Sequence, residues 1–302
     1  MIVVFGSVAV DLVTSVTRIP RPGETILCPG YRLIPGSKGG NQALASRRAG
    51  SDSALVATCG SDHFAPIATG TLRESGVDLT HVRSSETATG LCLIAVDEHG
   101  ENSIVVAAGA NLETRLDQLE AVPLNSGDTL ILQNEIGEAE TFGAVDWAKS
   151  KGARSILNVA PAGPVPADVL RALDILIVNE HEALVVGHAL GLSSEDPEEV
   201  ARRIHAEQGC TAIVTLGPAG AVAFHQGERF AAAAPTIKAV DTTAAGDSFT
   251  GAFAAALDQG QTFDIALRRG VAAGSLCCTK SGAQPSIPWA AEIDAAIAGP
   301  IN

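Results

Sequence analysis

Short, nearly uninterrupted apolar runs alternate along this chain with longer stretches in which apolar residues recur every three or four positions. Ile2–Phe5, Ala54–Ala57, Thr129–Leu132, Ser155–Val159, Ile175–Val178 and Ala212–Leu216 are rich in β-branched residues. That is the pattern of strands buried on both faces. Between them, Asn41–Ala49, Ala139–Ser150 and Pro197–Gln208 carry a helical period and end near Gly50, Gly152 and Gly209, as helices commonly do. The alternation predicts an α/β fold, a mostly parallel central sheet flanked by helices on both faces. No repeat, low-complexity tract or linker divides residues 1–302, so a single domain is expected.

Two regions break this rhythm. Gly90–Val96 and Ser103–Val106 flank Asp97-Glu98-His99-Gly100 and read as a β-hairpin. Leu12–Ile19 and Glu24–Leu33 are extended runs separated by Pro20-Arg21-Pro22-Gly23. Together the segments about 12–34 and 88–108 predict a small antiparallel sheet beside the main one, placed as a lid.

The C-terminal third holds the most informative local pattern. Phe249, Ala252, Phe253, Ala256 and Leu257 form one buried helical stripe, preceded by Ala244-Ala245-Gly246-Asp247. The turn from Ala244 to Asp247 presents backbone N–H groups at the positive end of a helix, suited to a phosphate-like anion. Asp247 adds a carboxylate there. Donors for developing charge and a group to take a proton are what phosphoryl transfer to a hydroxyl needs. An ordinary helix whose Asp complements the dipole is the competing interpretation.

Composition limits the partners. Net charge is −14, which disfavours nucleic acid and anionic membranes. No apolar stretch is long enough to span a bilayer, and the N-terminal residues read as a strand rather than a signal peptide. The six cysteines lack CxxC spacing and lie mostly in apolar runs, as expected of reduced residues in a cytoplasmic protein. The seven histidines show no HxxxH or HExxH, which excludes the common histidine metal motifs.

Three further loops carry candidate chemistry. Gly36-Ser37-Lys38-Gly39-Gly40-Asn41-Gln42-Ala43 opens a helix without P-loop spacing, and only Gly6 follows the first strand, so neither a P-loop nor a dinucleotide fingerprint is present. Lys38 and Asn41 could donate to sugar hydroxyls. Asn179 and Glu182 follow a strand and could hold waters of a Mg²⁺–nucleotide complex, or equally form a helix capping box. Thr215-Leu216-Gly217-Pro218-Ala219-Gly220 is a turn that lets a nucleotide lie close to the backbone.

These segments, with Gly6-Ser7, Asp11, Gly109-Ala110-Asn111 and Gly282-Ala283-Gln284-Pro285-Ser286, resemble the ribokinase (PfkB) family of carbohydrate kinases over nearly the whole chain. The resemblance implies a three-layer α/β/α domain with a β-sheet lid that often serves as a homodimer interface. It implies Asp247 as catalytic base, with the Ala244, Ala245, Gly246 and Asp247 backbone as anion hole. Asp11, Ser37, Lys38, Gly39, Asn41 and Glu135 match the sugar site. Asn179, Thr215, Gly217, Gly220 and Gly246 match the ATP site, and Glu182 matches a position that organises Mg²⁺. Asp241, Thr243, Cys277, Lys280, Gly282 and Ser286 match loops that enclose K⁺, mostly through backbone carbonyls. The expected reaction is transfer of the ATP γ-phosphoryl group to D-ribose. Two departures bear on the acceptor: Ala9 stands where the family's ribose kinases usually have Asn, and Ser37 where they have Gly. Deoxyribose, another small sugar or a nucleoside are alternative acceptors, and a non-catalytic sugar binder is a further alternative.

Overall fold

The computed structural model describes residues 1–298. Its first half contains β1 (Ile2–Phe5), β2 (Ala9–Ser15), β3 (Tyr31–Gly36), α1 (Lys38–Arg48), β4 (Ser53–Gly60), α2 (Ala65–Glu74), β5 (Val82–Ser85), β6 (Gly90–Val96), β7 (Asn102–Ala107), β8 (Thr129–Gln133) and α3 (Glu138–Lys151). There follow β9 (Arg154–Asn158), α4 (Ala167–Ala172), β10 (Ile175–Asn179), α5 (Glu180–Ala189), α6 (Pro197–Gln208), β11 (Thr211–Thr215), β12 (Ala221–His225) and β13 (Glu228–Ala232). The chain continues through α7 (Ala245–Asp258), α8 (Phe263–Cys277), α9 (Ala283–Ser286) and α10 (Ala290–Ala298).

The main sheet has nine strands in the order β13-β12-β11-β10-β9-β8-β1-β4-β5. Every pairing from β5 to β11 is parallel, and β12 and β13 close one edge as an antiparallel hairpin. The sheet is apolar on both faces because each face is covered. Ile2 and Val4 of β1 pack into one core with α1, α7 and α8, whereas Val3 and Phe5 pack into the other with α3, α5 and α6. Period-two alternation between two helical layers explains why the strands read as continuous apolar runs. The predicted fold class stands, with every strand and helix predicted for this sheet and its flanking layers present and boundaries shifted by a few residues.

Strand order reverses between β1 and β8, the place where an open α/β sheet leaves a crevice at the carboxyl ends of its strands. Ser7 and Glu135 lie there.

The second sheet runs β3-β2-β6-β7. Its outer pairings are antiparallel, as predicted, but the central pairing of β2 with β6 is parallel, because the two hairpins meet side by side. The predicted run Glu24–Leu33 is a strand only from Tyr31 onward. Pairing with β2 ends at Thr14↔Tyr31, and with no partner beyond it the preceding residues stay irregular and exposed, Leu27 almost completely so.

Candidate active site

The site is assembled at the β1/β8 crevice by the amino ends of two helices. Gly39 brings α1 against the loop after β1: a Cβ there would lie 2.4 Å from the Ser7 nitrogen and 2.5 Å from its carbonyl oxygen. Backbone cannot yield to such contacts, so only glycine fits. The Glu135 carboxylate accepts from the Ser7 hydroxyl at 2.6 Å and from the Lys38 N–H at 2.9 Å, and Ser7 Oγ accepts from the Gly39 N–H at 3.2 Å. Ser37 caps α1 by accepting from the Gly40 N–H and donates to the Ser7 carbonyl at 3.0 Å. Its φ of 84° and ψ of 148° lie in a region that favours glycine. These two bonds hold the strained residue in place and turn its hydroxyl into the α1 amino end.

Asp11 projects from β2 opposite Ile34 of β3 and Cys92 of β6. Gly36 leaves room for it, since a Cβ there would sit 2.4 Å from Asp11 Oδ2. Burial pushes the Asp11 carboxyl up to about 6, with Glu135 and Asp247 adding to the rise and the Cys92 thiol and Lys38 opposing it. Burial works to lower the Lys38 ammonium, but Asp247, Glu135 and Glu182 together hold it above its ordinary value. One cation thus serves three surrounding carboxylates. Ala9, buried, is paired with Gly36 and Gly90, neither of which carries a side chain.

Asp247 stands in the first turn of α7, buried. Its Oδ2 accepts from Asn41 Nδ2 at 2.9 Å and its Oδ1 from Gln42 Nε2 at 2.9 Å. Burial raises its pKa, opposed by Lys38 and by these two amides. The α7 amino end has no side-chain cap, and Ala244 enters it at a left-handed φ of 62°. The Ala245 N–H donates to the Thr242 carbonyl at 3.2 Å, so it is not a free donor of the turn as predicted. Gly246 is exposed, with open space where a Cβ would project.

On the other side of Gly246 lies a mainly apolar cavity of about 440 Å³. Thr215, Gly217, Gly220, Ala245 and Gly246 line it, together with the segment 234–237 and Gly274, Ser275 and Cys278 of α8 and its end. Gly220 is required there, since at φ 99° a Cβ would meet the Ala232 carbonyl at 2.0 Å. Asn179 does not line the cavity but is paired with Thr215. Asn179 and Glu182 form the capping box of α5: each side chain accepts the other's backbone N–H at 2.8 Å. Burial raises the Glu182 pKa, opposed by the Asn179 N–H and by Lys38.

The last group of residues forms a loop pair behind α7. The Asp241 carboxylate accepts from the Thr243 N–H, the Thr243 hydroxyl and the Gly282 N–H at 2.6–2.9 Å. Burial opposes its ionisation, but these three donors and Arg32 outweigh it and lower its pKa. The Cys277 thiol lies 3.4 Å from the Thr243 carbonyl and 2.9 Å from Ser286 Oγ. Lys280 turns outward to pair with Glu292 at 2.9 Å, so its ammonium does not fill the loop.

The predicted residues therefore converge, but several partners were not anticipated. Ser7 and Gln42 hold the predicted Glu135 and Asp247, Gln133 and Asn158 hold Gln42 in turn, and the segment 234–237 walls the cavity. Gln133 and Asn158 did leave a signal: each is a polar residue directly after apolar residues at the end of its strand. Among the described residues no cluster of three or more His, Cys, Asp or Glu could hold a metal by itself.

Comparison with known proteins agrees with this architecture. The family model of pfkB family carbohydrate kinases matches residues 1–290. The chain is 35% identical to the ribokinase of Haemophilus influenzae over 288 residues, covering 94% of each. Among solved structures it is similar to ribokinase from Thermotoga maritima (33% identity, 99% of both chains, TM-score 0.91). It is also similar to Arabidopsis thaliana ribokinase complexed with ribose and ATP (30% identity, 99% of both chains, TM-score 0.88). On fold, site and similarity together, this chain belongs to the pfkB family of carbohydrate kinases.

Proposed function

We propose that this chain transfers the γ-phosphoryl group of ATP to a hydroxyl of a small sugar, with D-ribose the best-supported acceptor. One observation carries the reading. The buried Asp247 carboxylate lies at an uncapped helix amino end, between an apolar cavity of nucleotide size and a polar cluster of Asp11, Lys38, Asn41 and Glu135. The adenine and ribose of ATP lie along Thr215, Gly217 and Gly220, with the phosphates directed to Gly246. The sugar is held by Asp11, Lys38 and Glu135, while the Asn41 amide orients Asp247. As the acceptor hydroxyl attacks the γ-phosphorus, Asp247 takes its proton. The N–H groups of Gly246 and Asp247, with Lys38 near, stabilise charge on the transferred group.

Mg²⁺ would travel with the nucleotide, since no cluster of three or more His, Cys, Asp or Glu among the described residues could hold it, and when bound it would neutralise phosphate charge. Glu182, with one oxygen committed to the Asn179 N–H, would have its other oxygen available to a water of the bound Mg²⁺. The second sheet acts as the lid that excludes water from the transfer. Its outer strand β7 exposes Ile104, Val105 and Val106, and Leu93 and Tyr31 are also exposed. This unpartnered apolar surface supports a homodimer formed through the lid. No described helix is long and apolar enough to cross a membrane, and a cytoplasmic location fits the unpaired cysteines.

The test is ADP release with Mg-ATP over a panel of sugars and nucleosides. Ribose is expected to support turnover. 2-Deoxyribose should trail by no more than about 1 kcal/mol in kcat/KM, because Ala9 offers the ring hydroxyl no partner. Turnover of a nucleoside alone would replace ribose as acceptor, and no acceptor-dependent release would remove the kinase reading.

The Asp241–Thr243 and Cys277–Ser286 loops fit a monovalent cation such as K⁺. They are oxygen-rich, keep Asp241 ionised beside them and send Lys280 outward. Carbonyls of Asp241, Thr243, Cys277, Lys280 and Gly282 and the Ser286 hydroxyl would hold it, adding order to the Ala244 turn. Exchanging K⁺ for tetramethylammonium at equal ionic strength, which removes simple screening, is expected to lower turnover severalfold. Equal rates in both salts would leave these loops as packing only.

A further inference from the structure

Both oxygens of Asp247 are held by consecutive residues of α1, and the second of these is itself locked from behind. Gln42 Nε2 donates to Asp247 Oδ1 at 2.9 Å and to Asn158 Oδ1 at 3.0 Å, while Gln42 Oε1 accepts from Gln133 Nε2 at 2.7 Å. Two amide protons meet two acceptors and the carbonyl meets a donor, so the Gln42 amide has only one satisfied orientation. Gln133 and Asn158 are the last residues of β8 and β9 and are paired in register, so the lock is built into the rigid sheet. Gln42 and Gln133 are fully buried and Asn158 nearly so.

Gln133 also has a single workable orientation. Its Oε1 has no hydrogen-bond partner and lies where a Cβ on Gly6 would come within 2.0 Å. Turning the amide over would set its carbonyl against the Gln42 carbonyl and release Gln42 to present an oxygen to Asp247. The unpartnered oxygen is the consequence of keeping Nε2 on Gln42.

From this geometry we propose that Gln42, locked by Gln133 and Asn158, is a positioning residue that fixes the Asp247 carboxylate toward the acceptor hydroxyl. The inference rests on Asp247 acting as the base in the proposed kinase reaction. A carboxylate clamped at both oxygens keeps one direction for its remaining lone pairs, which is the preorganisation proton transfer needs.

The experiment compares Gln42→Leu and Gln133→Leu with wild type in the full chain. For Gln42→Leu, kcat should fall about tenfold or more with the KM for ATP unchanged. Gln133→Leu should fall less, and the double variant should be no slower than Gln42→Leu alone. In an Asp247→Asn background, Gln42→Leu should cost nothing further. A Gln42→Leu enzyme within twofold of wild type, or losses that multiply with Asp247→Asn, would overturn the proposal. If Gln42→Leu does not fold, Gln133→Leu decides alone: wild-type kcat overturns the lock. A crystal structure of whichever variant folds supplies a readout independent of turnover. The Asp247 carboxylate is expected to leave its wild-type position, and an unmoved carboxylate refutes the positioning role. Wild-type protein that phosphorylates no sugar sinks the kinase reading instead, and the crystal structure still settles what Gln42 does.

Discussion

Asp247→Asn is expected to lower turnover by ~10²-fold or more in a protein that folds normally and still binds ATP. The substitution keeps the shape of the side chain but removes the proton acceptor. It also puts an NH₂ group where two donors now meet a carboxylate. Gln42 cannot turn over, being held by Gln133 and Asn158, so the new carbonyl must face Gln42 and the new NH₂ must face Asn41. Asn41 can adapt, because its Oδ1 is buried without a partner and flipping the amide presents that oxygen. Folding stability should hold, since burial already disfavours the charged form of Asp247. Steady-state ADP release and a thermal melt check both halves. Near-normal turnover in the folded variant would take Asp247 out of the chemistry.

Gly251→Ala should destabilise the fold by about 3 kcal/mol, the upper part of the range for overpacking. Helix propensity alone argues the opposite, because replacing an interior glycine by alanine favours a helix by about 0.5–1 kcal/mol. Packing decides the sign. A Cβ at Gly251 would lie 2.5 Å from Ala45 Cβ, 2.7 Å from the Ser46 nitrogen and 2.8 Å from the Gln42 carbonyl, and two of these are backbone atoms of α1. Separating α7 from α1 would also draw Asp247 away from Asn41 and Gln42, so kcat should fall with stability. Urea unfolding and steady-state kinetics read the two effects. A variant more stable than wild type would mean that the helices do not cross this closely.

Much of the fold was legible because strand and helix periods are local. Ile2–Phe5 and Pro197–Gln208 emerged with the limits seen in the structure. The helical stripe from Phe249 to Leu257, and the capping interpretation of Asn179 and Glu182, also followed from short-range rules. Boundaries failed where pairing rather than pattern sets the limit. β3 begins at Tyr31 because β2 offers no partner to earlier residues, and β2 begins at Ala9 because Gly36 and Gly90 pair with it there.

The site divides in the same way. Asp247, Lys38, Asn41 and the glycine turns stand in short motifs whose chemistry can be read residue by residue. The partners that complete them cannot. Asn41 and Gln42 meet Asp247 across 206 and 205 positions, and Gln133 meets Gln42 across 91. Sequence periodicity states which face of an element is buried, not which other element covers it. Strand order in the sheet makes that choice: it sets β8 between β1 and β9, and so brings Ser7, Gln133, Glu135 and Asn158 to one crevice. The sequence by itself determined the elements, their order and Asp247 as the candidate carboxylate. Only the tertiary structure decided what holds that carboxylate, because those contacts belong to the packing of α1 and α7 over the sheet and to no local segment.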